Sequence, residues 1–147
     1  MIKADAVTEG DGGNIFVWSD DTTIFHGTIS ATGGDQDGDG GFAEVSGKQH
    51  LILDGQVEMS AANGDDGTLL LDPGTVNIED DEGTMTEPTF TASLDTFYNS
   101  WINNFLTNSG NLTIATSPDS VNGADENINV NAEIDWSSGN SLTFNAG

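Results

Sequence analysis

Short apolar clusters recur along this chain every 26 to 28 residues, and this period constrains the fold more than any other feature. Ala43 lies 28 residues after Ile15, and Leu69 lies 26 residues after Ala43. Ile29 and Val57 are likewise 28 residues apart. Periods of about 20 to 50 residues are typical of solenoids, propellers and other repeat proteins. Each repeat here holds several short strands, shorter than those of a propeller blade, so the period predicts a parallel β-helix.

The predicted strands are rich in β-branched and aromatic residues and are bounded by Gly, Asn and Asp. They cover residues 13–18, 22–25, 27–31, 41–47, 50–54, 56–60, 67–72 and 75–78, and they resume at 111–115, 127–131, 133–136 and 141–144. Because side chains alternate along a strand, we expect Ile29 and Ala31 to point inward. Val57 and Met59 are expected directly above them. Glu44, between two apolar residues, is expected to face solvent.

Residues 93–106 depart from the strand pattern. Their apolar positions are Leu94, Phe97, Tyr98, Trp101, Ile102, Phe105 and Leu106. This spacing is the helical period, and Ser93, Asp95 and Gly110 suit the N-cap, the first turn and the stop of a helix. We predict one amphipathic helix near residues 94–106 that is docked over the flank or end of the β core. The alternative is a helix that docks a partner.

The domain organisation follows from these two patterns. We predict an all-β chain with a single β-helix domain over residues 1–147, forming part of a longer solenoid. Residues 79–91 are acidic and contain Pro88. We therefore interpret residues 79–109 as an acidic loop plus helix excursion within the domain.

The charge balance excludes several classes of partner. The chain carries 25 Asp and Glu against Lys3 and Lys48, a formal net charge of −23. Nucleic acids and anionic membranes are bound through Lys and Arg, so neither is expected as a partner. No segment approaches the ~20 apolar residues of a membrane span. There is no cysteine, which excludes disulfides and thiolate metal sites. We interpret the charge as an adaptation to salty or calcium-containing surroundings outside the cell.

One acidic loop has the spacing of the first half of a calcium-binding loop. Asp35, Asp37 and Asp39 alternate with other residues, and Gly38 permits a sharp turn. The bidentate Glu that closes such loops is missing, because the twelfth position is Ser46. We favour a solvated acidic turn and keep calcium at Asp35, Asp37 and Asp39 as the alternative. Residues 65–66 and 80–82 are weaker candidates of the same kind, and no cofactor is required.

Catalytic constellations are not marked out in this sequence. His26 and His50 belong to different coils, and a zinc site needs three or four protein ligands. No serine lies in a Gly-x-Ser-x-Gly motif. We predict that the chain is not an enzyme and keep a polysaccharide-acting β-helix enzyme as the less favoured alternative, since fold alone does not decide function.

Four aromatic residues, Phe16, Trp18, Phe25 and Trp136, allow two interpretations. They form either an exposed face for sugars or part of the packing of the β-helix. We favour packing.

Several segments resemble the β-helix repeats of filamentous-haemagglutinin-like large exoproteins. Residues 12–20 (GGNIFVWSD) are similar to their glycine-initiated, tryptophan-containing strand, and residues 27–31, 40–48 and 67–73 are similar to the strands that follow. Residues 110–147 resemble the next region of the same proteins. The resemblance implies a right-handed parallel β-helix, export to the cell surface, a role in adhesion, aggregation or biofilm, and no catalytic residues. This chain is more acidic than that family, and the family's secretion domain is not visible in it.

Both termini are strand-like, and neither shows a polar cap. Residues 2, 4 and 6 alternate like a strand, and residues 142–147 end on another. Open solenoid ends need covering. We therefore expect either continuation into a longer adhesin or head-to-tail contact with another copy. The predicted function is a secreted or cell-surface adhesive module with a glycan or protein partner, and the alternative is a fibre subunit that stacks end to end.

Overall fold

The chain folds as a parallel β-solenoid of about four turns with one short helix. The structure, a computed structural model, describes residues 1–81, 94–116 and 126–147. The elements are β1 (Ile2–Lys3), β2 (Asn14–Ser19), β3 (Thr22–Ser30), β4 (Phe42–Gly47), β5 (His50–Glu58), β6 (Thr68–Pro73), β7 (Val76–Glu79), β8 (Thr96–Tyr98), α1 (Asn99–Asn108), β9 (Asn111–Ala115), β10 (Ile128–Val130) and β11 (Leu142–Asn145). The predicted parallel β-helix is confirmed.

Three parallel sheets run along the solenoid. The first sheet has the order β1-β3-β5, the second β11-β9-β6-β4-β2, and the third β10-β7-β8. In the second sheet one column of side chains passes through every strand. Its members are Ile15, Ala43, Leu69, Leu112 and Leu142. The 26-to-28-residue period is thus the length of one coil.

The core lies between the sheets, and the predicted alternation places it correctly. Ile29 pairs with Val57, and both side chains are buried. Ala31 and Met59 are fully buried as well. Glu44 stands between two buried residues and is half-buried on the outer face of the second sheet. Burying apolar surface in this column is the main stabilising term for a chain without disulfides.

Three predicted strand boundaries were wrong. Residues 22–31 form one strand, β3, that passes through Gly27 at φ +145°, a conformation that favours glycine. Residues 50–60 likewise give the single strand β5. Residues 133–136 are not a strand, because they follow α1 instead of a neighbouring strand. Asn99 Nδ2 donates to the Glu133 carbonyl at 3.1 Å, and the Asp135 amide donates to Asn103 Oδ1 at 2.9 Å.

The helix prediction is confirmed in kind and wrong in its start. Helix α1 begins at Asn99 and ends at Asn108, so residues 94–98 precede it. Asp95 is buried in the left-handed region at φ 53°, and no helix passes through such a residue. Ser93, the expected N-cap, lies outside the described residues, as do residues 82–92 of the expected excursion.

Strand β8 is inserted out of sequence between β5 and β7. The Asp95 amide donates to the Leu51 carbonyl at 3.0 Å, and the Asn77 amide donates to the Asp95 carbonyl at 2.8 Å. Ser109, at the end of α1, accepts a hydrogen bond from the Met59 amide at 3.0 Å. The segment from residue 94 to residue 109 therefore lies over the whole length of β5, and β7 and then β10 follow above β8.

Helix α1 is docked as predicted. Its buried residues are Trp101, Ile102, Phe105 and Leu106. On its outer side the Leu106 carbonyl accepts from Ser138 Oγ and from Asn140 Nδ2. With the core on one side and residues 133–140 on another, the apolar stripe of α1 is occupied within the chain.

Candidate functional site

The loop that carries the calcium candidates is a regular part of the solenoid. Backbone hydrogen bonds join it to the coil below, among them Gly10 N to the Asp37 carbonyl at 2.9 Å and Gly12 N to the Asp39 carbonyl at 2.8 Å. Asp35, Asp37 and Asp39 are all exposed. Within the described residues, no group of three or more His, Asp or Glu side chains is placed to hold a metal ion. Calcium at this loop stays a prediction.

The same corner contains an aspartate ladder that the sequence analysis missed. Asp11 Oδ1 accepts from the Asp39 amide at 2.9 Å, and Asp39 Oδ1 accepts from the Asp65 amide at 2.8 Å. Each carboxylate therefore satisfies an amide of the next coil. Asp11, Asp39 and Asp65 are 28 and 26 residues apart, so the coil period itself was the available signal. The ladder explains part of the acidic composition by structure alone.

Both histidines pair with carboxylates at the surface of the solenoid. His26 Nδ1 lies 3.0 Å from Asp54 Oδ2, and both side chains are substantially exposed. His50 Nδ1 lies 2.7 Å from Asp95 Oδ2, while Asp95 Oδ1 accepts from the Leu51 amide at 2.7 Å. The two histidines lie on separate carboxylates, so the arrangement fixes strands and does not form a zinc site. The partner of His50 lies 45 residues away, off the repeat, and was not predictable.

One of the chain's two lysines is already paired. Lys3 Nζ lies 2.6 Å from Asp5 Oδ2. Burial raises the pKa of the Asp5 carboxyl, but hydrogen bonds from Lys3, Ser30 and the Thr32 amide, with the charge of Lys3, outweigh it and lower the pKa. Lys48 lies in the turn after β4.

Two carboxylates stand close together on the outer face of the second sheet. Glu44 lies on β4 and Asp72 on β6, one coil apart and offset by two residues. Ser46 Oγ donates to Glu44 Oε1 at 2.7 Å. Asp72 Oδ1 is buried and has no hydrogen-bond partner among the described residues. Burial, with a smaller contribution from the negative charge of Glu44, raises the pKa of the Asp72 carboxyl.

The aromatic residues divide into two groups, and packing was the wrong interpretation for the first. Phe16 and Trp18 on β2 are 64% and 57% exposed on the outer face of the second sheet. The Phe16 ring centroid lies 5.8 Å from that of Phe42. Phe25 and Trp136 are half-buried and pack against the core, as predicted. We call the surface formed by Phe16, Trp18, Phe42, Glu44 and Asp72 the aromatic–acidic face.

A groove of about 330 Å³ separates α1 from the first sheet. Its walls carry Thr28, Gln56 and Glu58 on one side and Asn104 and Asn108 on the other. Trp101 and Phe105 stack at the floor with centroids 5.4 Å apart. They are only 6% and 2% exposed, so their ring faces are not open to a ligand. The aromatic–acidic face is the more accessible candidate site.

The comparisons with known proteins leave the family unassigned. No protein-family model matches this sequence, and no curated protein matches it either. The resemblance to filamentous-haemagglutinin-like exoproteins therefore stays a prediction. Across the described residues, no helix is long and apolar enough to cross a membrane.

Proposed function

We propose that this chain is a secreted or cell-surface structural module that mediates adhesion. One observation carries the proposal: two large aromatic side chains, Phe16 and Trp18, are mostly exposed on the outer face of a parallel solenoid. Exposed apolar side chains that cluster, beside polar ones, are typical of interaction sites on soluble proteins. Trp and Tyr contribute most where one surface must bind another.

The solenoid supports this role mechanically. Adjacent coils are joined by parallel strands in the three sheets, and at the loop corner by the aspartate ladder. Such a stack holds side chains of the outer face in fixed rows about 4.8 Å apart. A surface module that must present the same residues under load is well served by such rows.

The test is adhesion of a non-adherent bacterium that displays the chain on its surface. We expect displayed cells to attach to host cells or to one another, and the Phe16→Ser/Trp18→Ser double variant to lose most of that attachment. Val7→Ser, which removes another exposed apolar side chain in the first loop, is the matched control and should attach like the wild type. Absence of attachment by the wild type, or release of sugars from glycans by the purified chain, would contradict the proposal.

A fibre subunit is the second candidate function, and the two end strands favour it. Within the described residues, β2 and β11 are the two edges of the second sheet. At β11 Leu142 and Phe144 continue the inward columns, and Phe144 is still 40% exposed. Placed on β2 of another copy, they would cover Ile15 and Val17. A head-to-tail contact of this kind does not close, and so it builds a filament. Further chain in a longer adhesin would cover the same edges.

Cysteine pairing distinguishes the two candidates, because the chain has no cysteine of its own. In the end-to-end register Thr143 of one copy lies opposite Phe16 of the next. A mixture of Thr143→Cys and Phe16→Cys chains should then form disulfide-linked dimers, more readily when salt screens the charge. A mixture of Thr143→Cys and Trp18→Cys chains is out of register and serves as the control. Equal cross-linking of both mixtures, or of neither, would contradict the fibre.

A further inference from the structure

The rows of the aromatic–acidic face place aromatic rings and carboxylates side by side. Phe16 pairs in register with Glu44, and Trp18 pairs with Ser46, which in turn pairs with Asp72. All of these side chains point outward, because Ile15, Ala43 and Leu71 between them are buried. Neighbouring rows are about 4.8 Å apart, so one ligand of ordinary size spans rings and carboxylates together.

The carboxylates of this face have no cation beside them. Neither Glu44 nor Asp72 takes part in an ion pair among the described residues. The raised pKa of Asp72 reflects burial and the nearby Glu44, so an ionised carboxylate is held here at a cost in stability. Asp20 and Asp21, exposed in the turn that follows β2, add to the negative potential. Retaining uncompensated charge at a local cost is typical of sites kept for function.

We infer that the aromatic–acidic face binds an arginine-bearing segment of another protein. The inference rests on the proposed adhesive function and names the chemistry of its partner. A guanidinium is planar, stacks on the face of an indole, and binds carboxylates through paired N–H groups. Trp18 provides the indole, and Glu44 and Asp72 provide the carboxylates. The net charge of −23 attracts a basic partner from a distance and repels anionic ones.

The other occupants are less well matched to this surface. A second copy of the chain has no arginine and only two lysines, of which Lys3 is paired with Asp5. Nucleic acid and acidic glycans carry the wrong charge. A neutral glycan would stack on Trp18 but would leave the carboxylate pair without a cation.

The experiment is a calorimetric titration of the intact chain with a ten-residue peptide that carries arginine at alternate positions. The same peptide with lysine or glutamine at those positions is titrated in parallel. We expect the arginine peptide to bind most tightly and the glutamine peptide not to bind. Trp18→Leu, which keeps apolar area but removes the ring, should lower affinity about three- to fivefold.

Two acidic double variants separate a site from general attraction. Glu44→Gln/Asp72→Asn should lower affinity about tenfold. Asp35→Asn/Asp37→Asn removes the same charge from a distant loop and should stay within about twofold, since screened charges at that distance contribute little. Equal losses in both variants, or Trp18-dependent binding of a neutral oligosaccharide instead of the peptide, would overturn the inference. If displayed cells attach while no peptide binds, the inference fails and the adhesive function stands; if wild-type cells do not attach, the adhesive function fails.

Discussion

Replacing Asp95 tests the insertion of β8 more sharply than any other single substitution. Its carboxylate holds two partners at 2.7 Å, His50 Nδ1 and the Leu51 amide, and the residue is 7% exposed. Its φ of 53° is a conformation that Asp and Asn tolerate better than Ala. Asp95→Ala therefore removes two charge-assisted hydrogen bonds, leaves a buried amide unsatisfied and adds backbone strain.

The expected cost is about 3 to 4 kcal/mol, because a hydrogen bond to a charged group contributes about 1.5–3 kcal/mol and the left-handed conformation costs an alanine about 1 kcal/mol. In a chain of this size such a loss lowers Tm by roughly 10 °C. Asp95→Asn keeps an acceptor for the Leu51 amide and the tolerated conformation, so it should cost about half as much.

Urea unfolding followed by circular dichroism measures these differences, and hydrogen exchange at the Leu51 amide reports on the site itself. Asp54→Ala is the matched control: it also removes a carboxylate paired with a histidine, but at an exposed position. It should cost no more than about 1 kcal/mol. If Asp95→Ala costs as little as Asp54→Ala, and Leu51 exchanges no faster, β8 does not lie between β5 and β7 as described.

Three further predictions concern charge, packing and metal. The pKa of Asp5 is lowered in the folded chain, so its contribution to stability is present above the ordinary value of 3.8 and is lost as pH falls through the folded pKa; Asp5→Asn should lower Tm at pH 7 and not at pH 2. The pKa of Asp72 is raised, so its ionised form destabilises the folded chain at neutral pH; Asp72→Asn should raise Tm at pH 7, and the gain should vanish below 3.8. A Cβ on Gly40 would lie 2.0 Å from the Met59 carbonyl oxygen, so Gly40→Ala should cost about 1–3 kcal/mol in urea unfolding, whereas Gly139→Ala, with open space around it, should be neutral. If the acidic turn is solvated, EDTA leaves Tm unchanged; a fall in Tm that Asp37→Asn abolishes would instead assign calcium to the turn.

The repeat carried most of the fold. Because one coil is one period, pairs such as Ile15 with Ala43 and Ile29 with Val57 could be read from spacing alone, and the structure confirms them. Alternation then predicted which side chains enter the core. The strands that failed were those whose neighbours are not one period away. Residues 133–136 look like a strand in isolation, but their hydrogen-bond partners are the side chains of α1.

The start of α1 could not be predicted for a related reason. The pattern from Leu94 to Leu106 fits a helix throughout, yet Phe97 is buried as part of β8, one position in a sheet. Local periodicity does not contain the long-range contact with β7 that decides between the two. The exposure of Trp18 was missed because its position on an outward row became clear only from the parity of β2. Asp72 and Glu44 were adjacent only after the register of β4 and β6 was known.

The parallel register of the second sheet is the central claim, because the core and the aromatic–acidic face both depend on it. Phe16 and Glu44 are directly opposed on β2 and β4. At a strand spacing of about 4.8 Å, a Phe16→Cys/Glu44→Cys chain falls within the range for a disulfide. In Phe16→Cys/Ser46→Cys the offset of two residues separates the Cα atoms by about 8 Å, which is too far. Mass spectrometry after mild oxidation should therefore find an intramolecular disulfide in the first chain and free thiols in the second. The reverse result, or cross-linking of both, would contradict the register.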